Sequence, residues 1–454
     1  MTAPHQMTLA EASGLIAAGK LSPVELLADC AARIAALEPR INAFIRQTLP
    51  EAEAAAREAE AEIRRNGPRS ALHGIPIGIK DIIDLAGHPT TCHSRLRLDH
   101  VASEDAAVVG LLRQGGAVFP GKLATHEFAI GGPAFDLPFP PARNPWNTAH
   151  HPGGSSSGSG AAVAARMLPA ALGTDTGGSV RHPASHCGIV GLKATYGLVP
   201  REGVFPLAFS LDHVGPLTRT VRDAALMLNV MSGGREDYTR DLGLGLKGLR
   251  IGFVRHFHET DMPADPEMAA ALEEGARLLA AEGAIVTDVT LPRLSEFAAV
   301  NRTVLYAESS AVHEEWLTTR PDEYANVTRR RLLPGLFLPA VDYMHAARRR
   351  TQLIAAINAA FDEVDVLLTA SSMDPACKID DTEAVERTYP RQARTPFNVS
   401  GHPAITLMSG LSARGLPLSL QFVTPAFTEA LLLRVAHGFE RAAPWKDRAP
   451  PLDG

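Results

Sequence analysis

The amino-acid sequence predicts one large α/β unit, a sheet with helices on both faces, carrying an N-terminal helical extension. Three observations support this. From residue 72 onward, apolar strand-like runs alternate with amphipathic helical stretches, the pattern of a layered α/β fold. No polar low-complexity linker divides the 454 residues, and no fixed-period repeat is present. The composition, 45% hydrophobic and 21% charged, is that of a water-soluble globular chain with a large core.

The elements follow in order. Thr8 and Glu11 form a capping box, and Gly19 ends the first helix. In Ser22-Pro23-Val24-Glu25, Ser22 caps the second helix, Pro23 takes its first position and Glu25 reaches back. Residues 50–65, rich in Ala, Glu and Arg, form an exposed helix ended by Gly67. Ile75-Pro76-Ile77-Gly78-Ile79 reads as a short buried strand. A helix over 103–114 leads into strand-like Ala117-Val118-Phe119. A small-residue helix over 156–167 precedes strand Ala170-Ala171-Leu172. Further helices are predicted over 219–231, 265–282, 295–319, 340–362 and 428–442. Further strands are predicted over 249–254, 284–288, 364–369, 403–408 and 417–423.

Charge and cysteine usage exclude several classes. Net charge is −6 with no extended basic stripe, which argues against nucleic-acid or anionic-membrane partners. Two arginine triplets, 329–331 and 348–350, read as solvated helix faces or as an anion site. Cys30, Cys92, Cys187 and Cys377 lack paired spacing, which fits a reducing compartment. No signal-peptide pattern and no run of about 18 apolar residues is present. A cytoplasmic enzyme is therefore expected.

Two decoys are set aside. Gly116 to Lys122 matches a phosphate-binding loop until Leu123, where Ser or Thr should hold magnesium. His93, His126, His150 and His151 lack a His-Glu-x-x-His spacing and read as polar loop residues, so no metal or other cofactor is expected.

The chemistry concentrates in two clusters, Gly153-Gly-Ser-Ser-Ser-Gly-Ser-Gly160 and Thr174-Asp-Thr-Gly-Gly-Ser-Val-Arg181. The first runs directly into an apolar helix, unlike a flexible linker. The second supplies what a serine nucleophile needs: a hydroxyl on a glycine turn, with amides able to face a developing oxyanion. Residues after Ser179 are expected to begin a helix. No Gly-x-Ser-x-Gly elbow surrounds Ser179, so a histidine base is not signalled. Lys80 follows the apolar run 75–79, and burial there would lower its pKa. Bringing it from ~10.4 to near 7 takes roughly 4–5 kcal/mol. On its own, Lys80 reads first as a salt-bridged surface lysine.

The ordered motifs resemble the amidase signature family. Gly74-Ile-Pro-Ile-Gly-Ile-Lys80-Asp81 is similar to its lysine segment, Gly153 to Ser159 to its glycine–serine segment, and Thr174 to Arg181 to its nucleophile segment. Ser155 precedes Ser179 by 24 residues, the family's separation. Asn398-Val-Ser-Gly401-His-Pro403 and Gly415-Leu-Pro417 continue the likeness. The resemblance implies a single domain with a central mixed sheet: a helical extension over 1–70, a signature core over 72–220, and a part over 221–454 completing sheet and pocket. It implies a triad of Ser179 as nucleophile, Ser155 as a bridge held by a cis peptide, and Lys80 as base. It further implies an oxyanion hole from the amides of Thr176, Gly177, Gly178 and Ser179. Asp175, Arg181 and Ser156 would be structural support, and Ala129, Ile130 and Gly131 would line the substrate pocket. Ser157, where the family usually has glycine, is a departure.

The expected function is hydrolysis of C–N bonds in amides, anilides or carbamates through an acyl-enzyme on Ser179. Urethanase or aryl acylamidase activity on bulky or aromatic small molecules, in a monomer or homodimer, is the main reading. The alternatives are a glutaminase-type subunit of an amidotransferase complex and a non-catalytic scaffold subunit. Pocket walls are expected from 130–145, 205–215 and 300–345. The apolar segment Leu332 to Pro339 is read as a cover for the pocket mouth, or equally as core packing or a dimer contact.

Overall fold

A computed structural model describes residues 3–445 and 448–452. The described strands are β1 (Phe44–Gln47), β2 (Ile77–Lys80), β3 (Gly121–Leu123), β4 (Ala170–Asp175), β5 (Val190–Lys193), β6 (His213–Thr218), β7 (Arg250–Phe253), β8 (Ile285–Asp288), β9 (Val366–Ala370), β10 (Ala404–Leu411) and β11 (Pro417–Val423). They form one mixed sheet in the order β1-β3-β2-β4-β6-β5-β10-β11-β9-β7-β8. β2 runs parallel to β3 and β4, and β7 runs parallel to β8 and β9. Between these wings the neighbours are antiparallel.

Local signals explain the helices. The capping boxes at Thr8 and Ser22 both form, opening helices Leu9–Ala17 and Pro23–Ile41. Gly67, at φ +77°, ends helix Leu49–Asn66. Thr220 and Asp265 accept backbone N–H bonds at the starts of Val221–Met231 and Pro266–Ala281. Strand alternation separates two cores. Leu172 packs into the larger core, which also holds Ile77 and Ile79. Ala171 packs into the second, with the helix Ser157–Ala164.

Several elements differ from the sequence reading. The strand expected at 117–119 is displaced to β3; Val118 makes only a bridge to Pro76. Pro120 lacks an N–H and interrupts the ladder there. The helix expected from 103 begins at Ala107, because Asp105 binds Ala86 N and Arg113 instead of capping it. β1, β5 and β6 were not anticipated. β1 breaks the all-helical extension, and β6 carries Gly215 and Pro216, which hide its strand character. The short helices Asn326–Leu332, Thr382–Thr388 and Thr395–Ser400 were also missed.

β2 and β4 end side by side at Lys80 and Asp175. Sites of open α/β sheets lie outside such carboxyl ends.

Glycine packing gives a test of this fold. A Cβ on Gly158 would strike the backbone of Ala43 and Ala124, whereas one on Gly110 meets nothing within 4 Å. Gly158→Ala is expected to destabilise by about 1–3 kcal/mol. Gly110→Ala, inside helix Ala107–Gln114, is expected to stabilise by about 0.4–1 kcal/mol. Scanning calorimetry compares the two, and shifts of the same sign would contradict the packing described.

Candidate active site

Lys80, the expected base, is buried. Lys80 Nζ donates to Ser155 Oγ at 2.8 Å and to Thr174 Oγ1 at 2.7 Å, and the side chain is fully enclosed. Burial pushes its pKa down to about 7, against the opposing pull of Asp175 and Asp212. Asp81, the next residue, is instead taken up by Lys122, 3.1 Å away. Lys80 thus has hydroxyl partners and no ion pair, which suits a neutral amine.

Ser155 sits on the turn between Gly153 and Ser157. The Gly154–Ser155 peptide is cis, as the family resemblance implies. Ser156 Oγ donates to Thr174 O and accepts from Thr174 N, both at 3.2 Å, tying this turn to the end of β4. Ser157 Oγ reaches only Ala124 O, at 3.4 Å. It lies away from the nucleophile.

Ser179 follows a turn built by Asp175 and Arg181. Asp175 Oδ1 accepts from Gly178 N at 2.8 Å, and Oδ2 accepts from Val180 N at 3.2 Å. Arg181 binds the same carboxylate through Nε at 3.0 Å and Nη2 at 2.9 Å. Burial alone would raise the Asp175 pKa, but Arg181 holds it far below the carboxylate range. Arg181 also donates to Asn398 Oδ1, Gln421 Oε1 and Arg394 O. Asp175, Arg181 and Ser156 are thus bonded to the turns around Ser155 and Ser179.

Two details amend the expected site. The Gly178 amide is already bonded to Asp175, so the oxyanion donors remaining from the expected four are Thr176, Gly177 and Ser179. No hydrogen bond joins Ser155 to Ser179 among the described residues. Ser179 lines the pocket together with Tyr389. The helix after Ser179 is a short one, Arg181–Cys187.

The pocket at Ser179 has two arms meeting at Ala129, Thr176 and Leu207. Ala129, Ile130 and Gly131 line the nucleophile's arm, as expected. Its far wall is polar: Asn301, Tyr306, Arg331, Tyr389, Gln392 and Thr395. The other arm is of mixed character, with Ile82, Val204, Phe205, Pro206 and Phe209 beside Arg201, Glu202, Asp212 and His213. The 389–395 wall was not anticipated, because nothing local marks it. The 332–339 segment lines neither arm; Leu332 and Gly335 are buried, while Phe337 is 81% exposed.

The arginine triplets divide by partner. Arg329 and Arg330 pair with Asp322 and Glu386 at the surface. Arg331 turns into the pocket, its guanidinium 5.9 Å from the Tyr389 ring. Arg349 pairs with Glu296, and Arg350 donates to Val399 O and Ser210. His126 and His151 lie beside this pocket with His182 and His186. The sequence reading passed over the last two, though their spacing of four on one helix was visible.

The amidase family model matches residues 25–433. The chain belongs to the amidase family. The A-type subunit of the glutamyl-tRNA(Gln) amidotransferase of Roseiflexus castenholzii is 38% identical, over 100% of this chain and 99% of the relative. The peptide amidase of Stenotrophomonas maltophilia superposes with a TM-score of 0.87 at 31% identity, over 99% of both chains. The A-type subunit of the glutamyl-tRNA(Gln) amidotransferase of Thermotoga maritima superposes with a TM-score of 0.84 at 31% identity, over 100% of this chain and 99% of that one. As an amidase-family enzyme the chain acts on C–N bonds. No helix among the described residues is long and apolar enough to cross a membrane.

The pH dependence follows from Lys80. The acceptor is the neutral amine, so protonation below about 7 removes it. The rate constant kcat/KM is expected to rise about tenfold per pH unit below that value and to level above it. Lys80→Met should lower kcat/KM by about 10²–10⁴-fold. A profile flat from pH 6 to 9 would sink Lys80 as the base.

Proposed function

We propose that this amidase releases ammonia from the carboxamide of a small, carboxylate-bearing donor, the glutaminase-type reaction of an amidotransferase A-type subunit. Ser179 Oγ attacks the carbonyl carbon while its proton passes through Ser155 to neutral Lys80. The Thr176, Gly177 and Ser179 amides stabilise the oxyanion. Ser155 returns the proton to the departing nitrogen, ammonia leaves, and water repeats the sequence on the acyl-enzyme.

The observation that carries this reading is Arg331. It faces the arm that holds Ser179 and has no hydrogen bond or ion pair among the described residues, whereas both neighbours in its triplet are paired. Arg394, also buried at this wall, is held through Nη1 by Ser371 O and Ser372 Oγ and leaves only Nε unpartnered. An unpaired guanidinium beside the nucleophile favours a carboxylate on the acyl side of the substrate. The similarity to the A-type subunits of two glutamyl-tRNA(Gln) amidotransferases supports the same chemistry.

A second reading rests on the other arm. Val204, Phe205, Pro206 and Phe209 suit an apolar leaving group, which favours a chain acting alone on anilides or aryl carbamates. The nucleophile's arm also has no carboxylate among its described lining residues, so an α-ammonium finds no partner there.

These features set the outcome of a substrate panel. Glutaramate, which is glutamine without its amino group, is expected to be hydrolysed at least as well as glutamine. Arg331→Met should raise KM for glutaramate by about 10–100-fold, equivalent to roughly 1.5–3 kcal/mol, and leave KM for neutral butyramide unchanged. Equal effects on both amides would remove Arg331 as the carboxylate anchor. Anilide turnover above that of either donor, by the chain free of other subunits, would favour the second reading.

A further inference from the structure

His151, His182 and His186 converge behind the wall of the nucleophile pocket. One ring nitrogen from each lies within 4.8 Å of the others, and all three side chains are buried. His182 and His186 stand four apart on helix Arg181–Cys187, hence on one face. Their ring centroids are 4.3 Å apart. His151 comes from the preceding loop, and one side chain clamps the two segments together. Asn144 Nδ2 donates to His151 O at 3.1 Å and to His186 O at 2.9 Å. Trp146 Nε1 adds a bond to Cys187 O at 2.8 Å.

The rings are short of partners. His151 Nε2 and His186 Nδ1 have no hydrogen-bond partner, and neither nitrogen of His126 has one. The His126 ring lies 5.6 Å from that of His151. His182 Nδ1 faces both Gly154 O, at 3.2 Å, and Gly154 N, at 3.3 Å. With its proton on Nδ1 it donates to the carbonyl and leaves the Nε2 lone pair free, whereas His151 Nδ1 accepts from Gly153 N at 3.2 Å, a bond that metal binding at Nε2 must break. A carbonyl-oriented imidazole is the usual arrangement of a metal-bound histidine.

We propose that His151, His182 and His186 form a binding site for one divalent transition-metal ion of the zinc class, set against the pocket that holds Ser179. Unpartnered buried imidazole nitrogens cost free energy, and a metal ion satisfies the two of this cluster, His151 Nε2 and His186 Nδ1, with His182 as the third ligand. The donor set selects the metal: neutral nitrogens without carboxylates favour Zn²⁺, Co²⁺, Ni²⁺ or Cu²⁺ over Mg²⁺ and Ca²⁺. Zn–N distances near 2.0–2.1 Å require the rings to close slightly around the ion. The site is independent of the substrate reading, since none of its ligands enters the proton relay.

The test uses tag-free full-length chain stripped with a chelator, then dialysed against Co²⁺ or Zn²⁺ and gel-filtered. One ion per chain by elemental analysis, with nitrogen-ligated visible bands for Co²⁺, is expected, and Mg²⁺ should not displace it. His182→Gln and His186→Gln should each weaken binding at least ~10-fold. His150→Gln, outside the cluster, should bind as the parent does. Fluorophosphonate labelling of Ser179 in each variant confirms that it is folded. No Co²⁺ uptake by the parent, or parental affinity in folded His182→Gln and His186→Gln, overturns the proposal. Loss of hydrolysis by Lys80→Met with unchanged Co²⁺ uptake would separate the metal site from the catalytic reading.

Discussion

The buried ion pair between Asp175 and Arg181 is the contact on which the rest of the site depends. Both groups are fully enclosed. Such a pair is weak evidence for stability, because desolvation offsets much of the attraction. Its value lies in what it orders. The two carboxylate oxygens collect the amides of Gly178 and Val180 on either side of Ser179. The guanidinium reaches Arg394 O, Asn398 and Gln421, more than 200 residues later in the chain. The nucleophile turn and the distant 389–398 wall are thereby held by one pair of charges.

Gly178 shows how closely this is built. Its φ is +117°, and a side chain there would run into Arg394. The turn needs glycine both for its backbone angle and for the space that Arg394 occupies. A second charge problem is solved differently a few ångströms away. Lys80 is given hydroxyl partners while Lys122 receives the neighbouring Asp81. Two buried lysines in adjacent strands thus acquire opposite roles from their partners alone. One is neutralised by burial and the other is paired.

Ser179 lies in the arm that carries Arg331 and Tyr389, and the second arm sets Phe205 and Phe209 beside Arg201, Glu202 and Asp212. The apolar 332–339 segment lines neither arm. Gly335 packs tightly on Tyr306 and Ser310 of the long helix Leu294–Thr319, and Phe337 faces outward. Its hydrophobicity serves helix packing.

Much of this was legible in the letters. Capping residues marked both N-terminal helices, alternating apolar runs marked most of the sheet, and the spacing of Lys80, Ser155 and Ser179 marked the family. These signals are local, or repeat a fixed order along the chain, so a one-dimensional reading finds them. The pairing that divides Arg329 and Arg330 from Arg331 was not legible. Neither were the diversion of the Gly178 amide to Asp175 and the meeting of His151 with His182 and His186. Each depends on groups brought together from separate elements, and on which of them burial leaves without a partner. The sequence by itself determined the family and marked Lys80, Ser155 and Ser179 as the candidates for its chemistry. The tertiary structure decided which cations and imidazoles face the nucleophile unpaired, because solvation and pairing exist only once the chain has folded.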